Sequence, residues 1–516
     1  MFVSITSGSS CGIRSYLSQV EVDTSQALPG FDMVGYLGSE VKEARERVRV
    51  ALKNAGIRIP AVRVTVNISP ADIRKDGTAY DLPIAVGVLV SIGMVPEEET
   101  KDILFLGELG LGGEIKPVRG VLPVVLKAAE SGIRTCIVPK ENEKEAAIVK
   151  GMTVLGIADI RELLGYLTAA SCRKAEWVKP CRIELSEILQ EQQEEESKMP
   201  DFKDLIGQES VRRAAEIAAA GFHHLLIIGP PGSGKTMAAM RLPSILPPMS
   251  QEESIEVSKI YSVSGLLGQS KALITKRPFM SPHHTISEHA LVGGGRIPRP
   301  GTISLAHRGV LFLDELPEFK REAIEALRQP LEEKQVHIAR SYGTYTYPAD
   351  VMLVAAMNPC PCGFYPDRSK CRCTPYEVRR YRSKISGPIM DRMDLIVEAP
   401  KLKVSELTKA QKGECSRDIR ARVLRARELQ SRRYRKTGFR FNAELDVGGV
   451  RRYCPLGTRE QQFMEQMFES LDLSARAYHR LLKLARTIAD LEGSDAITVE
   501  HLSEAVCYRM SDMEKI

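Results

Sequence analysis

No run of about 18 or more apolar residues occurs in this chain, which excludes a membrane-spanning helix. The first residues, Met1-Phe2-Val3-Ser4-Ile5, lack a charged segment and a long apolar one, so no signal peptide is expected. Neither sign of charge dominates. Lys and Arg number 72 against 66 Asp and Glu, and the net +6 over 516 residues is by itself a weak pointer to nucleic acid. Eleven cysteines is an odd count and seven stand alone, which argues against a disulfide framework and for reduced thiols in a cytosol. Aromatics are 6%, with one tryptophan, Trp177. No internal repeat is visible. What remains is an ordinary soluble composition, 43% hydrophobic and 27% charged, too long for a single core.

The most informative stretch is Gly229-Pro230-Pro231-Gly232-Ser233-Gly234-Lys235-Thr236. It has the form G-x-x-x-x-G-K-T, and it lies between a strand-like run, Leu225 to Ile228, and a helix-like one, Met237 to Leu242. Glycines let successive N–H groups turn towards phosphates, and the helix N-terminus adds its dipole. Lys235 is expected to reach the β- and γ-phosphates of ATP and Thr236 to hold Mg²⁺. Downstream, Gly309 to Leu313 is a buried-strand pattern ending in Asp314 and Glu315. In that setting Asp314 is expected to orient Mg²⁺ and Glu315 to act as general base on the attacking water. Leu353 to Met357 is a further apolar strand, ending in Asn358, and ligands of parallel sheets lie beyond strand C-termini. Asn358 is therefore a candidate partner of the water or γ-phosphate, a turn-forming Asn-Pro being the alternative.

Cys360-Pro361-Cys362 and Cys371-Arg372-Cys373 are separated by eight residues. Four thiols this close offer a tetrahedral Zn²⁺ site; a redox pair or unligated thiols are the alternatives. Arg368, Lys370 and Arg372 decorate the same loop, a candidate for touching DNA. Residues 417–440 hold ten Arg or Lys and two acids, net +8, which suits phosphates or a solvated helix face. Lys334 to Tyr347 reads as a β-hairpin with a tip at Ser341-Tyr342-Gly343. His283-His284 and His223-His224 have no acid at metal-binding spacing and read as structural or loop residues.

The order of phosphate loop, Asp314-Glu315, Asn358 and Ser386-Gly387-Pro388-Ile389-Met390-Asp391-Arg392-Met393-Asp394 resembles AAA+ ATPases. Ser281-Pro282-His283-His284-Thr285-Ile286-Ser287, Leu291-Val292-Gly293-Gly294-Gly295 and Pro300 to Gly309 narrow this to the magnesium-chelatase-like branch and its YifB/ComM family. The resemblance spans nearly the whole chain. It implies a homo-hexameric ring with ATP between subunits, Arg392 as the arginine finger reaching the neighbour's site, and Arg476 as the lid's phosphate sensor. It places the hairpin at a central pore, where Lys334, His337 and Arg340 would grip a DNA strand and Tyr342 stack on a base, with Arg296 and Arg299 nearby. ATP binding would close Lys235, Asp314 and Asn358 on the phosphates, and hydrolysis would move the hairpin. The implied activity is a helicase or branch-migration motor on branched or single-stranded DNA, in recombination and natural transformation, with recombination proteins as further partners. A chelatase-type or protein-remodelling motor is the rival.

The N-terminal part resembles the Lon-type protease domain through Lys75-Asp76-Gly77-Thr78-Ala79-Tyr80-Asp81, Gly107 to Ile115 and Ile137 to Lys144. That resemblance implies a ribosomal-S5-like α/β fold. It also puts Ala79 and Leu122 at the serine and lysine positions, where neither can do nucleophilic chemistry. The expected α/β organisation is a Lon-like domain over 1–172, an acidic linker over 173–200 that includes Gln190 to Glu196, a P-loop domain with a parallel sheet over 201–400, and a helical lid over 401–516.

Overall fold

The computed structural model describes residues 1–183, 196, 198–267, 272–340, 343–401 and 413–509. Most of the acidic run at 190–196 and Tyr342 lie outside the described residues. The first 160 residues build a seven-stranded mixed sheet. Its strands are β1 (Phe2–Cys11), β2 (Arg14–Ser25), β3 (Gly30–Val34), β4 (Arg63–Ser69), β5 (Ile103–Phe105), β6 (Thr135–Pro139) and β7 (Thr153–Ile157), in the order β3-β4-β2-β1-β5-β6-β7. Strict alternation sets the buried face: Val3 and Ile5, Val20 and Val22, Val64, Val66 and Ile68 all point inward. Two helices cover that face. On α1 (Ser39–Asn54), Val41, Ala44, Val48 and Ala51 form the buried stripe, and α2 (Asp81–Ser91) is buried all round. Gly87 lets α2 come close, since a Cβ there would lie 2.5 Å from Val22 Cγ2. A third helix, α3 (Val121–Glu130), follows.

The second sheet is parallel throughout. After α4 (Glu209–Gly221) come β8 (Leu225–Ile228), α5 (Lys235–Ile245), α6 (Gln251–Ser264), β9 (Phe279–Met280), β10 (Val310–Leu313), the hairpin β11 (Gln335–Arg340) and β12 (Gly343–Pro348), β13 (Met352–Met357) and β14 (Leu395–Glu398). The order β9-β10-β13-β8-β14 places β8, the first of these strands along the chain, between β13 and β14. Both faces are covered, so β8 alternates between two cores rather than between core and water. Leu225 and Ile227 face one core. It is shared with α4, α7 (Ser416–Tyr434), α8 (Ala475–Glu492) and α9 (Val499–Cys507). Leu226 and Ile228 face the other, beside Ile303, Val336 and Tyr347. The C-terminal helices are thus bound into the sheet's own core. Among the described residues no helix is long and apolar enough to cross a membrane.

The two sheets meet through short elements. Gly120 N–H donates to Ser262 O at 3.0 Å, and a Cβ on Gly12, at the β1–β2 turn, would lie 3.1 Å from Thr346 O in the hairpin. A buried ion network joins the hairpin base to the C-terminal helices. Arg308 donates to Glu256 (2.7 and 2.9 Å) and Asp350 (2.6 Å), and Arg440 donates to Asp350 (2.6 Å). Burial works to raise the Glu256 carboxyl, but His307 and Arg308 beside it hold it at about 2, below its ordinary 4.5. A depressed carboxyl stabilises the fold above its unfolded value and loses that contribution as pH falls from about 4.5 towards 2. The melting-temperature gap between wild type and Glu256→Gln is therefore expected to be widest above pH 4.5 and to narrow below it. A gap independent of pH would rule this account out.

Candidate nucleotide site

The phosphate loop joins β8 to α5. Gly232 (φ +75°) and Gly234 (φ +85°) take left-handed backbone, which a side chain would resist, and α5 begins at Lys235. Gly229 is required for a different reason: a Cβ there would lie 2.5 Å from Ala399 O. Lys235 is buried, and its Nζ donates to the carbonyls of Gly229 (2.8 Å) and Pro230 (3.0 Å) and to Asn358 Oδ1 (3.2 Å). Burial lowers its pKa, with Asp314 and Glu315 opposing. Thr236 Oγ1 donates to Asp314 Oδ2 at 2.7 Å. One group of side chains therefore gathers at the C-terminal ends of β8, β10 and β13. The donor set fits a nucleoside triphosphate with Mg²⁺. It offers an ammonium held only by carbonyls and an amide, a hydroxyl–carboxylate pair, and Ser233 Oγ, which is buried and has no hydrogen-bond partner among the described residues.

Glu315 stands in left-handed backbone (φ +53°), a cost of about 1–2 kcal/mol for a residue with a side chain. Its carboxylate is half exposed, and His284 Nδ1 lies 3.8 Å from it. The His284 ring lies tilted against that of His283, with ring centroids 4.1 Å apart. Sequence reading treated His284 as a loop residue. The available signal was its position just past β9, at the end of the strand beside the one that ends in Asp314 and Glu315.

Arg392 and Arg476 are not brought to this group. Arg392 donates to Glu332 (2.5 Å) and to Pro388 O (2.8 Å). Arg476 is exposed in the first turn of α8.

The hairpin pairs Gln335 with Pro348 through to Arg340 with Gly343. Arg340 donates to Gly295 O (3.1 and 3.2 Å), which ties its tip to the small turn carrying Arg296 and Arg299. His337 is exposed there as well, bonded to Thr346 (3.1 Å). Lys334 differs. Its ammonium is engaged by Glu444 (2.6 Å) and Asp350 (3.2 Å). Tyr347 is fully buried and donates to Pro298 O.

The basic segment at 417–440 is the larger surprise. It forms α7 and the turn after it, and several of its arginines are turned to acids of other segments. Arg422 pairs with Glu216 and Glu414, Arg433 with Asp490 (2.5 and 2.9 Å), and Arg440 with Asp350 and Glu444. Arg427 lies over the Phe441 ring at 3.8 Å. Of the ten basic residues, Arg417, Arg425, Arg432, Arg435 and Lys436 stay exposed.

The N-terminal sheet carries a cavity of about 420 Å³, lined by Thr78, Ala79, Glu108, Tyr16 and Arg119 together with Arg299 and Tyr345. Ala79 and Leu122 belong to the same apolar cluster, and Thr78 donates to Glu108.

Family models for the magnesium chelatase subunit ChlI match three stretches: 201–407 (Magnesium chelatase, subunit ChlI), 20–142 (Subunit ChlI of Mg-chelatase) and 413–509 (its C-terminal part). Full-length similarity extends to the uncharacterized protein YifB of Escherichia coli, 43% identical over 97% of this chain and 96% of that protein. The competence protein ComM of Haemophilus influenzae is 42% identical over 98% and 97% of the two chains. Lon protease 2 of Bacillus subtilis is 30% identical over 24% of this chain and 22% of its own.

Proposed function

Because this chain belongs to the magnesium-chelatase-like YifB/ComM family of AAA+ proteins, we propose that it is an Mg²⁺-dependent ATPase that drives the remodelling of branched or single-stranded DNA, in the cytosol, during recombination and the uptake of transforming DNA. The observation that carries the ATPase is the convergence of Lys235, Asn358, Thr236 and Asp314 within hydrogen-bond distance at one end of the parallel sheet. In this reading Lys235 exchanges the carbonyls of Gly229 and Pro230 for β- and γ-phosphate oxygens. Thr236 and Asp314 would hold Mg²⁺, which offsets phosphate charge. Glu315 takes the proton of the attacking water, and Asn358 holds that water or the γ-phosphate. Arg392, remote from its own subunit's group, acts on a neighbour's phosphate in a homo-hexameric ring, and Arg476 serves as the lid's sensor. ATP and Mg²⁺ are the cofactors; Zn²⁺ is a third, argued below.

DNA is favoured by the name of the competence protein and by the exposed basic side chains Arg296, Arg299, His337 and Arg340 on the hairpin and its neighbouring turn. Lys334, clamped by Asp350 and Glu444, contributes to that surface only if the clamp opens. No peptidase activity is proposed, since Ala79 and Leu122 supply neither nucleophile nor base. The test is ATP turnover with and without forked or four-way DNA, with Lys235→Ala as the blank. Several-fold stimulation is expected, falling steeply with salt as phosphate contacts require. The triple change of Arg296, Arg299 and Arg340 to Ala is expected to remove the stimulation. Brisk turnover indifferent to every DNA tried would instead favour a chelatase-like or protein-remodelling motor.

A further inference from the structure

Residues 359–374 follow β13 and form neither helix nor strand. Ordering each such residue costs about 1–2 kcal/mol of backbone entropy, and the local apolar cluster is small, with only Cys360, Cys371 and Val378 buried. At its centre lie four sulfurs, those of Cys360, Cys362, Cys371 and Cys373, all within 4.8 Å of one another. Three of the separations are 3.4, 3.6 and 3.8 Å. A disulfide needs about 2.05 Å, and all four thiols are free. A tetrahedral ion with bonds of about 2.3 Å to sulfur sets its ligands about 3.8 Å apart, which is the spacing of a single Zn²⁺ in a Cys₄ site. The Tyr365 N–H points at Cys360 Sγ (3.4 Å), the kind of outer hydrogen bond that supports a thiolate ligand.

The loop also touches the phosphate loop. Gly363, between Cys362 and Phe364, has φ +83°, and a Cβ there would lie 2.5 Å from Pro231 Cδ. Phe364, Tyr365 and Pro366 line a cavity of about 450 Å³ together with Pro230, Ala399 and Pro400, with Asp367, Lys370 and Glu398 also in its lining. Arg368 and Arg382 flank the Tyr365 ring, 5.5 and 5.3 Å from its centroid. A cavity of this size, with apolar and aromatic lining beside the first residues of the phosphate loop, suits a purine base.

We propose that the four cysteines bind one Zn²⁺, and that the ion holds this loop as a wall of the nucleotide site, so that nucleotide affinity depends on zinc. The second half of the proposal rests on the ATPase reading above; the first does not.

The experiment uses the full-length protein. Elemental analysis is expected to find one zinc per chain, and Co²⁺ put in its place should give the ligand-field and thiolate charge-transfer bands of a tetrahedral S₄ site. Stripping the metal with a chelator under reducing conditions is expected to weaken a fluorescent ATP analogue about tenfold, with recovery when Zn²⁺ is returned. That reversal separates loss of metal from misfolding. The Cys360→Ser, Cys371→Ser double variant should match the stripped protein. Phe364→Ala should keep its zinc and still bind nucleotide more weakly, whereas Lys235→Ala should keep its zinc whatever its nucleotide affinity. If the zinc-loaded wild type binds no nucleotide, the ATPase reading and the dependence built on it both fall while the metal site stands. Absence of zinc, iron in its place, or a disulfide by thiol titration would overturn the metal site. Full zinc with nucleotide affinity unchanged on stripping would overturn the dependence.

Discussion

Glu315→Gln is expected to lower ATP turnover by about 10²–10⁴-fold, the usual worth of a positioned general base, while leaving nucleotide binding in place. The amide keeps the size and most of the hydrogen bonding of the carboxylate but cannot take a proton. Lys235, Thr236, Asp314 and Asn358 hold one another independently of the Glu315 side chain, so the phosphate cradle stays built. Lys235→Ala should behave differently, losing both binding and turnover, because its ammonium is the one positive side chain in contact with the loop carbonyls among the described residues. Phosphate release and equilibrium binding of a fluorescent ATP analogue distinguish the two. A Glu315→Gln protein that turns over at the wild-type rate would remove Glu315 from the mechanism and direct attention to His284, 3.8 Å away.

Asp350→Ala is expected to lower stability by about 3–5 kcal/mol, since it removes the buried carboxylate that faces the largely buried Arg308. Asp350 is 6% exposed and takes Arg308 and Arg440 at 2.6 Å and Lys334 at 3.2 Å. Burial alone would raise its pKa, but Lys334 and Arg308 outweigh that and hold the carboxyl below its ordinary value. The three cations come from the position two residues before β10, the base of the hairpin and the turn after α7. The substitution therefore loosens the joint between the hairpin and the C-terminal helices as well as lowering the melting temperature, by roughly 10 °C at the usual 2–4 °C per kcal/mol. Calorimetry would check it. An unchanged transition would mean that Glu256 and Glu444 neutralise the stranded cations between them.

The phosphate loop was legible from eight consecutive residues because its chemistry is local. Gly232 and Gly234 are needed for a backbone conformation, and Lys235 and Thr236 follow them on the first turn of α5. The period-2 burial of β2 and β4 and the buried stripe of α1 follow from each element's own spacing, which determines which face turns inward. Partnership was not readable. The ten basic residues of 417–440 looked like a phosphate-seeking surface, yet Arg433 finds Asp490 and Arg422 finds Glu216, acids 57 and 206 positions away. Nothing local distinguishes an arginine that will meet such an acid from one left in water. Cys-x-Cys spacing likewise does not say which thiols meet, whereas in the fold the four sulfurs lie within 4.8 Å of one another. His284 became a neighbour of Glu315 only through the sheet order, which sets β9 beside β10. The sequence by itself determined the elements and the phosphate-binding chemistry, which depend on neighbours a few residues apart. The tertiary structure decided which charges are neutralised, which thiols converge and which histidine meets Glu315, because those are fixed by contacts between distant segments.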